Sequence, residues 1–229
     1  GRAQENIVGL EVAGEYALVP DDFTGVTPKV AVKEGDSVKA GDALFINKHY
    51  PEVKFASPVS GTVVSVERGE RRKVMSVRVK ADEKQQFVDF GTFELGKMSG
   101  EDVKKALLAA GLFGYINQLP YAVSTNPATA PKSIFVSALR DMPLAGDFEV
   151  ELKGNEEAFQ AGLTALSKIA PTHLGIGSKQ TAAALTAAQS VEVTVFDGPC
   201  PAGNVGVQVN HIDPVNKGEV VWTVDPTAV

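Results

Sequence analysis

The densest run of residues able to bend or bare the backbone is Gly198-Pro199-Cys200-Pro201-Ala202-Gly203-Asn204-Val205-Gly206, which holds the chain's one thiol. A nucleophilic Cys200 needs a neighbouring base. The three histidines, His49, His173 and His211, lie in dissimilar contexts, and no carboxylate-histidine spacing pairs with any of them. The loop reads as a rigid junction, the alternative being that its amides receive a carbonyl or an anion. One cysteine closes no intrachain disulfide and brings no second soft ligand for zinc or an iron-sulfur centre, and a reducing compartment suits it best.

Two more patterns carry possible chemistry. Gly175-x-Gly177, opening a helix and followed by Asp197 after the next strand, imitates a dinucleotide fingerprint. Its third glycine position holds Gln180, which weakens the match, and two glycines after a strand also serve an ordinary tight turn. The P-loop pattern is absent. Leu112, Phe113, Tyr115, Leu119 and Tyr121 crowd apolar and aromatic side chains into a segment broken by Pro120, Pro127 and Pro131. They read as cover for a sheet, or alternatively as an apolar surface for a partner protein or a quinone ring. The basic run Arg68-Gly69-Glu70-Arg71-Arg72-Lys73 reads as a solvated hairpin end.

The elements that must position these residues follow two rhythms. From Pro28 to about Lys80, short alternating apolar runs are cornered by Gly-Asp and Ser-Pro-x-x-Gly turns, the mark of a small all-β module. After Phe90 strand and helix alternate. Ser99 and Asp102 have capping-box spacing ahead of the face Val103, Ala106, Leu107 and Ala110, with Gly111 as the stop. Leu112 to Lys132 is expected as a long ordered loop, because its prolines deny continuous helix or strand. Strands are expected at Ile134–Leu139, Leu174–Ile176 and Val191–Phe196, and helices at Asn155–Ile169 and Ser178–Gln189. That alternation favours a parallel sheet covered by helices. Val205 to Val224 is expected to return to short strands and to stop without a closing element. The expected class is thus α+β multidomain: a β module over 1–90, an α/β domain over 91–198, and a β tail over 199–229 opening a truncated further domain.

Bulk properties narrow the function. A chain of 229 residues with 44% hydrophobic content supports one large or two ordinary domains with a real core. Twenty-eight acidic against 22 basic residues, for a net charge of -6, supply no broad positive field for a nucleic acid backbone. No apolar run approaches the roughly 20 residues needed to cross a bilayer. The chain opens Gly1-Arg2-Ala3 without methionine, so the absence of a signal peptide is uninformative about location.

Val32-Lys33-Glu34-Gly35-Asp36-Ser37-Val38-Lys39-Ala40-Gly41-Asp42-Ala43-Leu44 with Ser57-Pro58-Val59-Ser60-Gly61-Thr62-Val63 resembles the biotinyl/lipoyl-like barrel-sandwich family. Its swinging-arm carriers modify a hairpin-tip lysine, and that place falls here on Tyr50. Lys48 and Lys54 flank it out of register, so a structural module is favoured over a carrier.

The order of barrel-sandwich module, α/β domain and Gly198–Gly206 run resembles the NqrA family, the alpha subunits of sodium-translocating NADH:quinone reductases. Further matching runs are Ser133-Ile134-Phe135-Val136-Ser137-Ala138, Pro143-Leu144-Ala145-Gly146-Asp147, Ala158-Phe159-Gln160-Ala161-Gly162-Leu163 and His211-Ile212-Asp213-Pro214-Val215. The family often has histidine where Cys200 stands, which argues against a general catalytic role there. The family is similar to flavin-binding subunits of the Rnf complex and respiratory complex I, which use a glycine-rich loop early in a Rossmann-like α/β domain. This chain has Leu112-Phe113-Gly114-Tyr115-Ile116-Asn117-Gln118-Leu119-Pro120 there, without a glycine cluster.

What the resemblance implies is a peripheral subunit on the cytoplasmic face of the bacterial inner membrane, docked on the pump's other subunits. It would hold no cofactor, with flavins and an iron-sulfur centre elsewhere in the complex, and would take part in reducing ubiquinone or menaquinone, coupled to sodium export. Family members are roughly twice this length, which implies further docking surface beyond this half. No catalytic or metal residue is assigned. The candidate quinone or partner surface is Phe113, Tyr115, Tyr121, Cys200 and Gly203. The competing reading is a flavin- or NADH-binding electron-entry subunit using Gly175, Gly177 and Asp197.

Overall fold

The computed structural model describes residues 7–9 and 11–229; the opening Gly1-Arg2-Ala3 lies outside them. The first half is built from seven strands: β1 (Glu15–Leu18), β2 (Pro28–Val30), β3 (Ser37–Val38), β4 (Ala43–Asn47), β5 (Lys54–Ala56), β6 (Gly61–Arg68) and β7 (Val74–Ala81). They form a four-stranded sheet, β1-β7-β6-β3, and a three-stranded sheet, β2-β4-β5, with antiparallel pairing throughout. The period-2 pattern explains the packing. Leu44, Phe45 and Phe55 from one sheet and Val63, Val77 and Val79 from the other enter a common core, and Thr62, Val64 and Lys80, alternating with Val63 and Val79, are exposed. The segment that follows is stitched back onto this module: Ala40 N–H donates to Gln86 O and Val88 N–H to Ala40 O.

The second half contains α1 (Gly100–Ala110), β8 (Ile116–Leu119), β9 (Val123–Ser124), β10 (Ile134–Ser137), α2 (Phe148–Leu152), α3 (Glu156–Ile169), β11 (Thr172–Gly177), α4 (Ala183–Thr186), β12 (Glu192–Phe196), α5 (Val205–Ile212) and β13 (Val221–Val224). Ser99 and Asp102 form the expected capping box, and Gly111 ends α1 in the left-handed conformation at φ 74°. In α3 the buried Phe159, Leu163 and Leu166 repeat at helical spacing. One six-stranded sheet runs β12-β11-β10-β13-β8-β9. Its first four strands are parallel, and β8 and β9 are antiparallel additions. The large core covers the face holding Ile134, Val136, Leu174 and Trp222, while Phe135 and Val221 face Val209 of α5.

Three expectations change here. The stretch 112–132, expected as a loop, holds a 3-10 turn at Phe113–Tyr115 and then β8 and β9. Its prolines fall outside the paired residues, Pro120 immediately after β8, so the ladder is intact. Of the helix expected over 178–189 only the single turn α4 forms, because Gln180 and a glutamate of α2 take the amides before it. The residues 199–229, expected as a β tail opening a further domain, instead supply α5 and β13. β13 is buried at every position in the middle of the sheet, between β10 and β8. A parallel strand returning to the far side of β10 requires a crossover, and α5 is that crossover.

Candidate functional site

The two halves meet along a close steric seam. The 3-10 turn after α1 lies against β5, and a Cβ built on Gly114 would sit 2.5 Å from Phe55 Cε1. A side chain at that position therefore has no room. Phe23, in the turn after β1, sets its ring 4.4 Å from Phe55, tilted at 58°, and edge-on 5.4 Å from Tyr115. Ser124 N–H donates to Thr24 O at 2.8 Å, which carries one backbone hydrogen bond across the seam.

At one end of the seam opens a cleft of about 580 Å³, within the range of small-molecule sites. Leu18, Phe23, Leu112 and Tyr115 line it, with Asp22, Asn117, Asp225 and Thr227 as polar members. Burial raises the Tyr115 phenol above its ordinary pKa, so it remains a neutral donor at physiological pH. Asp225, just past the carboxyl end of β13, accepts from Thr227 N at 2.9 Å and lies 3.5 Å from Arg140 Nη2. In an open α/β sheet the crevice beyond the carboxyl ends, where successive strands diverge to opposite sides, is the usual ligand position. Here β11 and β12 go to one side of β10 and β13 to the other, so Arg140 and Asp225 mark that divergence. A larger groove of about 850 Å³ lies between α2, α3 and α4. It is lined by Asp147, Glu149, Glu156 and Glu157 with Lys153 as its one base.

Around the dinucleotide-like turn the backbone donors are already engaged by the protein itself. Gln180 Oε1 accepts from Gly177 N at 2.7 Å, and its Nε2 donates to Ala138 O at 3.0 Å. Glu149 of α2 accepts from both Thr181 N (2.6 Å) and Ala182 N. Asp197 Oδ1 accepts from Ser178 Oγ at 3.1 Å. A carboxylate thus stands where a bound phosphate would have to sit.

The Cys200 loop is also held by internal hydrogen bonds, although Gln208 Oε1 beneath it is buried without a partner among the described residues. Gly203 N donates to Asp141 Oδ2 at 2.9 Å, Ser137 Oγ donates to Gly203 O at 3.0 Å, and the buried Gln208 donates to Ser137 Oγ and to Ala202 O. Gly203 allows this close approach, since a Cβ there would meet Leu139 O at 2.5 Å. Cys200 is exposed, and its side chain lies 3.5 Å from Met142 Sδ. His49 lies beside Thr27, His173 stacks on Phe135, and His211 pairs with Val207 O, so the three histidines occupy separate places.

The five candidate residues therefore do not form one surface. Tyr115 lines the cleft. Phe113 is buried edge-on against Trp222 and is withdrawn from any contact surface. Tyr121 is exposed beyond β8, and Cys200 and Gly203 belong to the loop leading into α5. Sequence reasoning missed Phe23 and Leu18 as the cleft's other wall. The aromatic Phe23 between Asp21-Asp22 and Thr24-Gly25 was the available signal. Nothing in the sequence marks Glu149 as the partner of Thr181 and Ala182.

Among the described residues no group of three His, Cys, Asp or Glu side chains is placed to hold a metal ion, and no helix is long and apolar enough to cross a membrane. Residues 1–82 match the NqrA N-terminal barrel-sandwich hybrid domain, and residues 98–229 match the NqrA second alpha/beta domain. The chain belongs to the NqrA family. One NqrA-family relative, named as a Na(+)-translocating NADH-quinone reductase subunit in Pseudomonas aeruginosa (strain UCBPP-PA14), is 35% identical over 98% of this chain and 51% of the relative. Relatives of the same name from Yersinia pseudotuberculosis serotype O:1b (strain IP 31758) and Actinobacillus pleuropneumoniae serotype 5b (strain L20) are each 36% identical, over 91% of this chain and 47% and 48% of their own lengths. The chain spans about half the length of the curated NqrA relatives it matches. The second match runs unbroken through α5 and β13, in keeping with their place inside the sheet.

Proposed function

We propose that this chain serves as the N-terminal half of a peripheral subunit of a sodium-translocating NADH:quinone reductase, on the cytoplasmic face of the bacterial inner membrane. Family membership along nearly the whole chain carries this reading. In it the chain holds no redox cofactor, flavins and an iron-sulfur centre belong to other subunits, and the subunit contributes to quinone reduction coupled to sodium export. The α/β half is a Rossmann-like sheet, divided from the β module near residue 90, whose nucleotide turn is used structurally. The parallel order β12-β11-β10-β13 supports this, as do Gln180 and Glu149 on the turn's amides. β8 stands where related flavoproteins place a glycine-rich loop, and its amides belong to the sheet ladder.

The quinone end of the path is the seam cleft. Phe23 offers a flat face and Leu112 an apolar contact to a ring, and Tyr115 and Asn117 offer hydrogen-bond donors to its carbonyl oxygens. Calorimetric titration with a short-chain, water-soluble ubiquinone, with NADH and flavin mononucleotide in parallel, tests this. Saturable quinone heat that Tyr115→Leu weakens, with none from the other two ligands, is expected. Binding of NADH or flavin overturns the assignment in favour of an electron-entry subunit. Silence from all three removes quinone from this half and leaves a docking scaffold.

A further inference from the structure

The hairpin joining β6 and β7 ends in an unusual turn. Arg71 and Arg72 both have left-handed backbone, φ 52° and 61°, and Lys73 N–H closes the turn on Glu70 O at 3.1 Å. Two successive left-handed residues make a type I′ turn, whose favoured occupants are Asn-Gly. Arginine has no backbone reason to occupy either position, because a Cβ in this conformation crowds the neighbouring carbonyl. Strain of this kind persists where the side chains are needed.

Charge makes the case specific. Both arginines are exposed, and among the described residues neither forms an ion pair, while at the hairpin base Asp21 is engaged by Lys73 and Glu15 and Glu67 by Arg78, leaving Asp22 unpaired beside them. Arg68 joins them at the tip, its Nη1 donating to Arg72 O at 3.2 Å. Three arginines against Glu70 leave this end positive on a chain whose net charge is -6. The hairpin tip is thus a positive point on a net-negative chain, and an anionic surface attracts it. Behind the tip, Val64 and Met75 lie exposed on the hairpin's outer side.

The geometry points to the Arg71–Arg72 tip as a docking finger for anionic phospholipid headgroups. Planar guanidinium groups grip phosphate oxygens in pairs. Val64 and Met75 rest against the headgroup boundary when the hairpin lies along the surface, and the arginine stems reach back to the phosphates. The choice of lipid among anions rests on the proposed membrane-complex reading. That reading fails on NADH or flavin binding, whereas this one fails on vesicles.

The test is flotation of the full chain with phosphatidylcholine vesicles and with vesicles also containing phosphatidylglycerol. Binding is expected only with phosphatidylglycerol and at low salt, because the attraction is screened. Arg71→Asn with Arg72→Gly keeps the turn and removes both charges. It should bind about thirty-fold more weakly, from the usual contribution of a basic residue near an anionic surface, and melt at a higher temperature because the strain is gone. Lys179→Asn with Lys217→Asn removes the same charge from exposed turns of the α/β half and should bind as the unaltered chain does. The inference is overturned by binding independent of phosphatidylglycerol, by undiminished binding of the Asn-Gly variant, or by an equal loss in the lysine variant. Attachment only to membranes carrying the complex's other subunits overturns it in favour of an acidic protein partner.

Discussion

The steric seam gives the most quantitative prediction. Alanine at Gly114 would place a carbon 2.5 Å from Phe55 Cε1, about an ångström inside ordinary carbon contact, with Phe55 itself 1% exposed and held between Phe23 and Phe45. The ring has nowhere to retreat, so the substitution should destabilise by about 1–3 kcal/mol, the usual result of overpacking. For a chain of this length that is a fall in melting temperature of roughly 2–12 °C. Phe55→Leu should cost about 1–2 kcal/mol alone, but it makes room for the added methyl. The double variant should therefore lose less than the two single losses together, by about 1 kcal/mol or more. Urea unfolding followed by far-UV circular dichroism and by fluorescence of Trp222, the one tryptophan, measures both the energies and the coupling. Because Trp222 lies in the six-stranded sheet and Phe55 in the β module, coincident transitions are expected from the two probes. Losses that add within about 0.5 kcal/mol, or two separated transitions, would refute the seam as a shared core.

Three further outcomes are expected. Ser99→Ala removes the α1 capping box and should cost about 1 kcal/mol, read as a melting shift of roughly 2–4 °C. Gly175→Ala would set a methyl 2.1 Å from Gln208 Oε1, displacing the side chain that donates to Ser137 and Ala202. It should destabilise more than alanine at the open turn glycine Gly96, which differential scanning calorimetry would compare. Lys132 ties Asp213 and Glu219 to the start of β10. Against the pull of partial burial, hydrogen bonds from Lys132 and Ser133 hold Asp213 below the usual carboxylate range, and the Asn216 amide and then Lys132 do the same for Glu219. Their stabilisation is present above the unfolded carboxylate values and disappears as pH falls through the lowered folded ones. The Asp213 and then Glu219 bonds raise Lys132, so its share is lost only as pH rises through that raised value. The gap in urea midpoint between the unaltered chain and Lys132→Met should therefore be steady near neutrality and close in acid.

Legibility in the sequence followed how local the deciding forces were. α1 and α3 could be read because Ser99, Asp102 and Gly111, or Phe159, Leu163 and Leu166, carry their own instructions within a few turns. α5 could not. Val205, Val207 and Val209 alternate as a strand would, and β-branched residues favour that reading. Helix wins through the cap of Asn204 on Gly206 N and through the crossover needed to seat β13 beside β10. The alanines of 183–188 advertise a longer helix than forms, since Gln180 and a glutamate about thirty residues earlier fix the turn before it. The cleft shows the same limit. Tyr115 stood out among its neighbours, but the wall it faces comes from Phe23 on a different sheet, a proximity only tertiary packing creates.

The seam between Gly114 and Phe55 also sets the mechanics of the molecule. Contact that tight leaves little room to slide, so the β module and the six-stranded sheet are expected to turn as one lever and not as beads on a string. A load applied at the hairpin where Arg71 and Arg72 project reaches the cleft directly, because Lys73 at its end is paired with Asp21, next to the cleft-lining Asp22 and Phe23. Whatever holds that hairpin in place therefore also steadies the wall that Tyr115 faces.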